Sequence, residues 1–211
     1  MCTPIEHFEF ERLIPGMPVS LVGNGVDLDY FRPAGSPRQP GSIVFTGVMD
    51  YLPNVDAVIW PEATFVICGS RPTAAVRRLA KKQGVTVTGW VPDTRPFLDR
   101  AEVFVAPLQM GRGIQNKLLE GLAMGLPCIA STAAWSGTAV ANGEGLLVAD
   151  EPQEFAGHVV RLLREPDFRA AMACKARAAV EANYRWATQL AALDRVIAAV
   201  PSRQVPALER A

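Results

Sequence analysis

The chain has 211 residues and a mass of 22.8 kDa, room for one large domain or one and a half small ones, and its 49% apolar and 20% charged residues exclude an intrinsically disordered polypeptide. Twenty-one Lys and Arg balance 21 Asp and Glu, so long-range steering toward nucleic acid or acidic lipid is not expected, and only a local basic pocket stays compatible with the charge. The four cysteines (Cys2, Cys68, Cys128, Cys174) have no metal-ligand spacing, no run reaches the ~18 apolar residues of a membrane span, and no signal pattern opens the chain, so a reduced, cytoplasmic protein is expected.

Residues Met1 to Pro18 carry a weak helical pattern (Phe8, Phe10, Leu13) that Pro15-Gly16 ends, and Val19 to Val22 reads as a short strand. Asn24-Gly25 is a turn signal. Phe31 to Gly41, with three prolines, reads as an extended linker. From Ser42 the pattern alternates between β and α. Ser42 to Thr46, Ala63 to Cys68 and Val85 to Thr88 are apolar strands that close on Gly47, Gly69 and Gly89. Glycine in that place opens the carboxyl edge of a parallel sheet to close backbone approach, unless it serves only as a βα turn.

Arg71 to Gln83 predicts an amphipathic helix with Ala75, Val76, Leu79 and Ala80 inward and Arg77, Arg78, Lys81 and Lys82 outward. With no interleaved aromatic, that basic run reads as a solvated face and not as a nucleic-acid surface. Asp93 or Thr94 caps a short helix ending at Arg100, Gly145 to Val148 is a last strand, and Pro152 to Arg164, Asp167 to Asn183 and Trp186 to Val200 are helices. His158 is expected on a helix surface, and the tail from Pro201 is expected to fray. One connection is too short. As a helix, Asn54 to Trp60 spans only about 10 Å, against the roughly 17–20 Å of a strand it must return along, so residues are expected to be missing between Trp60 and Pro61.

The chain is organised around Val103 to Ser131. There a buried strand (Val103 to Ala106) leads through a glycine-bearing loop (Pro107 to Gly113) into a helix from about Ile114, a Gly-Leu-Pro stop and a second strand (Cys128 to Ala130). Unpaired N–H groups and the dipole at such a helix start favour an anion. Gly111 and Gly113 admit close backbone approach, while Arg112 and Lys117 supply cations. Leu118, Leu119, Leu122, Ala123 and Met124 mark the helix as buried, and Glu120 is the exception. It lies roughly 9 Å beyond the helix start at about 1.5 Å per residue, a separation comparable with that between a nucleotide's diphosphate and its ribose. Two readings stay open: ribose hydroxyls satisfy Glu120, or it forms an ion pair with Lys117 or Arg112.

The stretches NGVDLDYF (24–31), FTGVMDYLPNVDA (45–57), VICGS (66–70), VTGWVPD (87–93), PLQMGRGIQNKLLEGLAMGLPCIAS (107–131), GEGLLVAD (143–150) and YRWATQLAALDRVI (184–197) stand in this order. Together they resemble the C-terminal, nucleotide-sugar-binding half of a retaining glycosyltransferase of the GT-B architecture, in glycosyltransferase family four. MDYLPN and GRGIQNKLLE are similar to the bacterial sugar transferases of exopolysaccharide and PEP-CTERM/exosortase systems.

The resemblance implies an α/β, doubly wound, Rossmann-like parallel sheet over residues 23–200, with 1–22 a remnant of an N-terminal acceptor domain or linker and 201–211 a tail. It implies that Glu120 holds the donor ribose, that Gly113, Ile114 and Gln115 receive the diphosphate, and that Trp90 and Val91 lie against the base. Gly47, Gly69 and Gly111 complete the expected nucleotide-sugar site, with Gly47 facing the phosphates. The signature's first glutamate is replaced by Arg112, and the family's Arg and Lys are absent from VMDYLPN. Arg112 and Lys117 are therefore the candidates for stabilising the diphosphate leaving group.

The implied donor is a UDP-, GDP- or ADP-sugar, and the implied acceptor a carbohydrate or lipid-linked molecule. No cofactor, metal or nucleic acid is expected. The acceptor domain is expected to be missing, the isolated domain to be inactive, and any inner-membrane contact to run through that missing domain. A nucleotide-sugar 2-epimerase and a non-catalytic regulatory relic of the same fold are the alternatives. A dinucleotide oxidoreductase lacks its G-x-G-x-x-G.

Overall fold

The computed structural model describes residues 3–48, 63–111 and 113–199. The short helix expected at Asn54 to Trp60, the Trp60/Pro61 junction, Arg112 and the tail lie outside them. Six short apolar runs form one parallel sheet: β1 (Ser42–Thr46), β2 (Thr64–Cys68), β3 (Val85–Gly89), β4 (Val103–Ala106), β5 (Cys128–Ala130) and β6 (Leu146–Val148). Their spatial order is β3-β2-β1-β4-β5-β6. Every residue of β1, β4 and β5 is buried, as expected of parallel strands covered on both faces.

The order reverses between β1 and β4. Right-handed crossovers running in opposite directions from that pair put helices on opposite faces, which makes the sheet doubly wound. Ser42 to Thr46 aligns residue for residue with Thr64 to Cys68, whereas β1 meets β4 only through Ile43 with Val103 and Val44 with Phe104. Beyond Val44 and Phe104 the two central strands part, which leaves a crevice at their carboxyl ends.

The helices are α1 (Pro4–Leu13), α2 (Ala74–Leu79), α3 (Arg95–Arg100), α4 (Asn116–Ala123), α5 (Thr132–Trp135), α6 (Pro152–Arg164), α7 (Pro166–Asn183) and α8 (Trp186–Ala199). Several differ from expectation. Val19 to Val22 is not a strand. In that region only Val26 is paired, through an isolated bridge to Arg185. Helix α2 is shorter than Arg71 to Gln83 because Thr73 caps it, its side chain accepting from the Val76 N–H at 3.3 Å. Of its expected inward face Val76 is buried, while Ala75 and Ala80 are exposed. Of the two expected caps of α3, Thr94 is the N-cap residue without a side-chain cap bond, and Asp93 supplies the acceptor for the first helical N–H. Its carboxylate accepts from the Arg95 backbone N–H at 2.9 Å and from the Arg95 guanidinium at 2.7 Å, which holds the Asp93 carboxyl below its usual range. His158 is half-buried, 3.8 Å from Glu154, and not a plain surface residue.

Phe31 to Gly41, read as a linker, is fastened to helix ends. The Arg38 guanidinium donates to Ala101 O at 2.6 Å, Met124 O at 3.1 Å and Gly125 O at 2.9 Å. Arg177 on α7 donates to Ala123 O at 2.7 Å and Phe31 O at 2.8 Å. Carbonyls at a helix C-terminus are unpaired and carry partial negative charge, so two arginines there hold the back of α4 in place. Gly121, inside α4, has no room for a side chain, since an added Cβ would stand 2.8 Å from the Phe104 ring. Helix and sheet therefore sit at glycine distance, and the start of α4 is aimed rigidly. Cys68 and Cys128 are buried free thiols, and burial raises both.

Candidate functional site

The carboxyl ends of β1 and β4 flank the crevice where a doubly wound sheet takes its ligand. On the β1 side the chain leaves through Gly47 (φ +150), and β2 leaves through Gly69 (φ +148). The Gly47 N–H donates to Cys68 O at 3.0 Å, and the Gly69 N–H donates to Gly89 O at 3.1 Å. A Cβ on Gly69 would fall 1.8 Å from the Gly47 carbonyl oxygen. The glycine edges thus form one stitched rim, where positive φ favours glycine and, at Gly69, the backbone leaves no space for a side chain. Thr46, just inside the rim, has a buried hydroxyl with no hydrogen-bond partner among the described residues.

On the β4 side, Pro107 to Gln115 leads into α4. Ser131, at the end of β5, holds this loop by donating its hydroxyl to Leu108 O at 2.5 Å, and also caps α5. Gly111 packs on α5, where an added Cβ would meet Ala133 O at 2.1 Å. Gly113 is left-handed (φ +64), and its carbonyl lies 2.2 Å from the Cβ position of Gly137. Ile114 packs against the core, and Gln115 is the N-cap residue of α4 without a side-chain cap bond. The N–H groups of that first turn are therefore not closed off by the Gln115 side chain. Asn24 reaches across from the domain's opening segment and donates to Asn116 Oδ1 at 3.0 Å.

Lys117 joins the two sides. A Cβ on Gly47 would lie 3.2 Å from Lys117 Nζ, and the ammonium stands 5.4 Å from the Phe45 ring centroid. One turn on, Glu120 is half-buried among fully buried Leu118, Leu119, Leu122 and Ala123. Burial pushes its carboxyl above the ordinary glutamate range, and the Lys117 charge offsets that only in part. The Lys117 charge thus acts on Glu120, and Arg112, the other candidate partner, lies outside the described residues. Trp90 stands at the end of β3 with 74% of its surface exposed, beside half-buried Val91, and Met110 on the β4 loop is as exposed. Among the described residues no cluster of His, Cys, Asp and Glu could hold a metal. No helix among them is long and apolar enough to cross a membrane.

The structure thus brings Gly47, Gly69 and Lys117 together at the β1 edge, sets Glu120 one turn along α4 from Lys117, puts Gly111 and residues 113–115 ahead of that helix, and places Trp90 and Val91 at the end of the strand two places from β1. Sequence reasoning missed α5, the Asn24–Asn116 bond and the approach of Gly137 to Gly113. Ser131 ahead of Thr132 was a legible N-cap signal for α5; the other two are contacts distant in sequence with no local mark.

A doubly wound sheet whose crevice is rimmed by glycine edges and faced by a cation at a buried helix start has the Rossmann-like α/β fold of GT-B glycosyltransferases. The chain belongs to the Glycosyl transferases group 1 family, whose model matches residues 40–165. It is 27% identical over 180 residues to a UDP-Gal:alpha-D-GlcNAc-diphosphoundecaprenol alpha-1,3-galactosyltransferase of Escherichia coli, covering 72% of this chain and 43% of that one. It is 31% identical over 153 residues to a GDP-mannose-dependent monoacylated alpha-(1-6)-phosphatidylinositol monomannoside mannosyltransferase of Corynebacterium glutamicum, covering 67% of this chain and 40% of that one. Among solved structures, Anabaena HepE in complex with UDP superimposes with a TM-score of 0.74 at 13% identity, over 85% of this chain and 57% of that chain. The chain thus spans less than half the length of both curated relatives.

Proposed function

We propose that this chain is the donor-binding half of a retaining glycosyltransferase, which moves a sugar from a nucleoside diphosphate to a carbohydrate or lipid-linked acceptor in exopolysaccharide synthesis. The diphosphate lies between the Gly47 rim and the backbone of Gly113, Ile114 and Gln115, the base lies along Trp90 and Val91, and Glu120 accepts from the ribose hydroxyls. Lys117, with Arg112, offsets the charge that collects on the departing diphosphate; orientation and electrostatics, with no metal, carry the chemistry. The acceptor site belongs to a further domain, which also makes any membrane contact, and this domain by itself turns over nothing.

The observation that carries the reading is the Lys117 ammonium laid against Gly47 across the crevice, with the half-buried Glu120 carboxylate one turn behind it. A buried acid without a hydrogen bond is costly, and a ligand bearing vicinal hydroxyls removes that cost. Support for the donor class comes from relatives whose names specify UDP-Gal and GDP-mannose and from the UDP complex of HepE. Support for a further domain comes from the shares of 43% and 40% that the chain covers.

Calorimetry with UDP-, GDP- and ADP-sugars tests the reading. One base class should bind, and Glu120→Gln should weaken it about tenfold or more, the loss expected when a charged acceptor is removed from a hydrogen bond. Failure of every donor to bind the native chain would overturn the assignment.

A further inference from the structure

The rim of the crevice holds one residue in a conformation that its chemistry does not favour. Arg71 has φ +52, and among the described residues it is the only one other than glycine with a positive φ. Its neighbours hold it there. Two residues before it the Gly69 N–H donates to Gly89 O at 3.1 Å, and two residues after it Thr73 caps α2. Pro72, directly after it, disfavours the right-handed helical region at Arg71, so the chain turns from β2 into α2 through the left-handed region. Glycine makes that turn without steric cost, and an L side chain does not. The Arg71 side chain is exposed, and among the described residues it makes no hydrogen bond or ion pair. No contact inside the domain therefore offsets the strain, which is the pattern of a side chain that meets a ligand.

We propose that Arg71 binds the donor's diphosphate from the β2 side of the crevice, as a second cation beside Lys117. The inference rests on the donor-site reading. Strand β2 lies between β1 and β3, so its exit stands one strand spacing, about 4.8 Å, from each of theirs. A ligand that reaches from Gly47 to Trp90 passes that exit. Among the described residues that follow β1, β2 and β3 ahead of the next helix (47–48, 69–73 and 90–94), Arg71 is the one cation. Arg95, just beyond, is bound to Asp93 at 2.7 Å. Both phosphates of a donor carry negative charge, and Lys117 comes from α4, on the β4 side. A guanidinium on the other side grips two phosphate oxygens at once and gives up its water more readily than an ammonium does.

The test uses the full chain, native, Arg71→Gly and Arg71→Lys, titrated at low and high salt with whichever of UDP, GDP and ADP binds and with the matching nucleoside. Thermal unfolding without ligand is followed in parallel. Arg71→Gly should bind the diphosphate about tenfold more weakly at low ionic strength, with a smaller loss at high salt, and bind the nucleoside as the native chain does. Arg71→Lys should recover part of the lost affinity. Without ligand, Arg71→Gly should unfold at the native temperature or above it, because glycine relieves the positive φ. Native diphosphate affinity in Arg71→Gly, or an equal loss for the nucleoside, would overturn the role of Arg71 while leaving the donor site standing. A fall in unfolding temperature together with affinity would make Arg71 a support of the turn and overturn its role as well. No diphosphate binding by the native chain would overturn the donor site itself, and the role of Arg71 with it.

Discussion

Helices α4 and α8 are both apolar, and the fold treats them in opposite ways. In α4, Leu118, Leu119, Leu122 and Ala123 have no exposed surface, and two arginines hold its C-terminal carbonyls. In α8, Trp186, Leu190, Leu193, Val196 and Ile197 are between 37% and 61% exposed. Rigid burial of α4 is what a platform for a charged ligand requires, because a first turn that moves cannot present its N–H groups and Lys117 at fixed distances. An apolar face left open on α8, and another on α1, is surface that other protein covers in most folds. The difference is between a fully enclosed helix and an open apolar face, and the match covers only 43% and 40% of the two curated relatives.

The largest expected effect breaks the comparison most directly. Leu122→Ala should cost about 2–5 kcal/mol, lowering Tm by several degrees in thermal unfolding. Ile197→Ala should stay within about 0.5 kcal/mol. Equal losses at the two positions would mean that α8 is buried in solution, and the contrast with α4 would fall.

Next in size, Lys117→Met should weaken a nucleoside diphosphate about tenfold at low salt and the nucleoside hardly at all, read by calorimetry at two ionic strengths. Loss of both equally would show that Lys117 supports α4 and does not meet the phosphates.

The smallest effect is a pH dependence. Burial raises the Glu120 carboxyl, so the folded chain binds its proton more tightly than the unfolded chain does. The resulting destabilisation is absent below the ordinary value of 4.5, grows as pH rises toward the raised value, and is fully present above it. Glu120→Gln should therefore gain stability over the native chain between acid and neutral pH, seen as a Tm difference that opens with rising pH, while donor affinity falls. A variant that loses stability at neutral pH would mean that the carboxylate is paired in the folded protein.

Much of this was legible from local pattern. The runs from Ser42, Thr64, Val85, Val103, Cys128 and Leu146 were readable as strands because a strand buried on both faces is continuously apolar, and α6 was readable to the residue from its period and Pro152. Val19 to Val22 misled because an apolar run specifies burial or a partner without supplying one, and none of the described strands pairs with it. The Gly111–Gln115 loop, Lys117 and Glu120 were identifiable as a candidate site since they share one short unit.

By itself, then, the sequence determined the parallel α/β class, the strands with their glycine exits, and an acid stranded in an apolar helix, all of which follow from side-chain periodicity and burial within a few residues. Only the tertiary structure decided the order β3-β2-β1-β4-β5-β6, and with it the crevice between β1 and β4. The same holds for the approach of Lys117 to Gly47. Strand neighbours and such contacts arise from pairing and packing between segments tens of residues apart, and the local pattern of each segment carries no record of its partner.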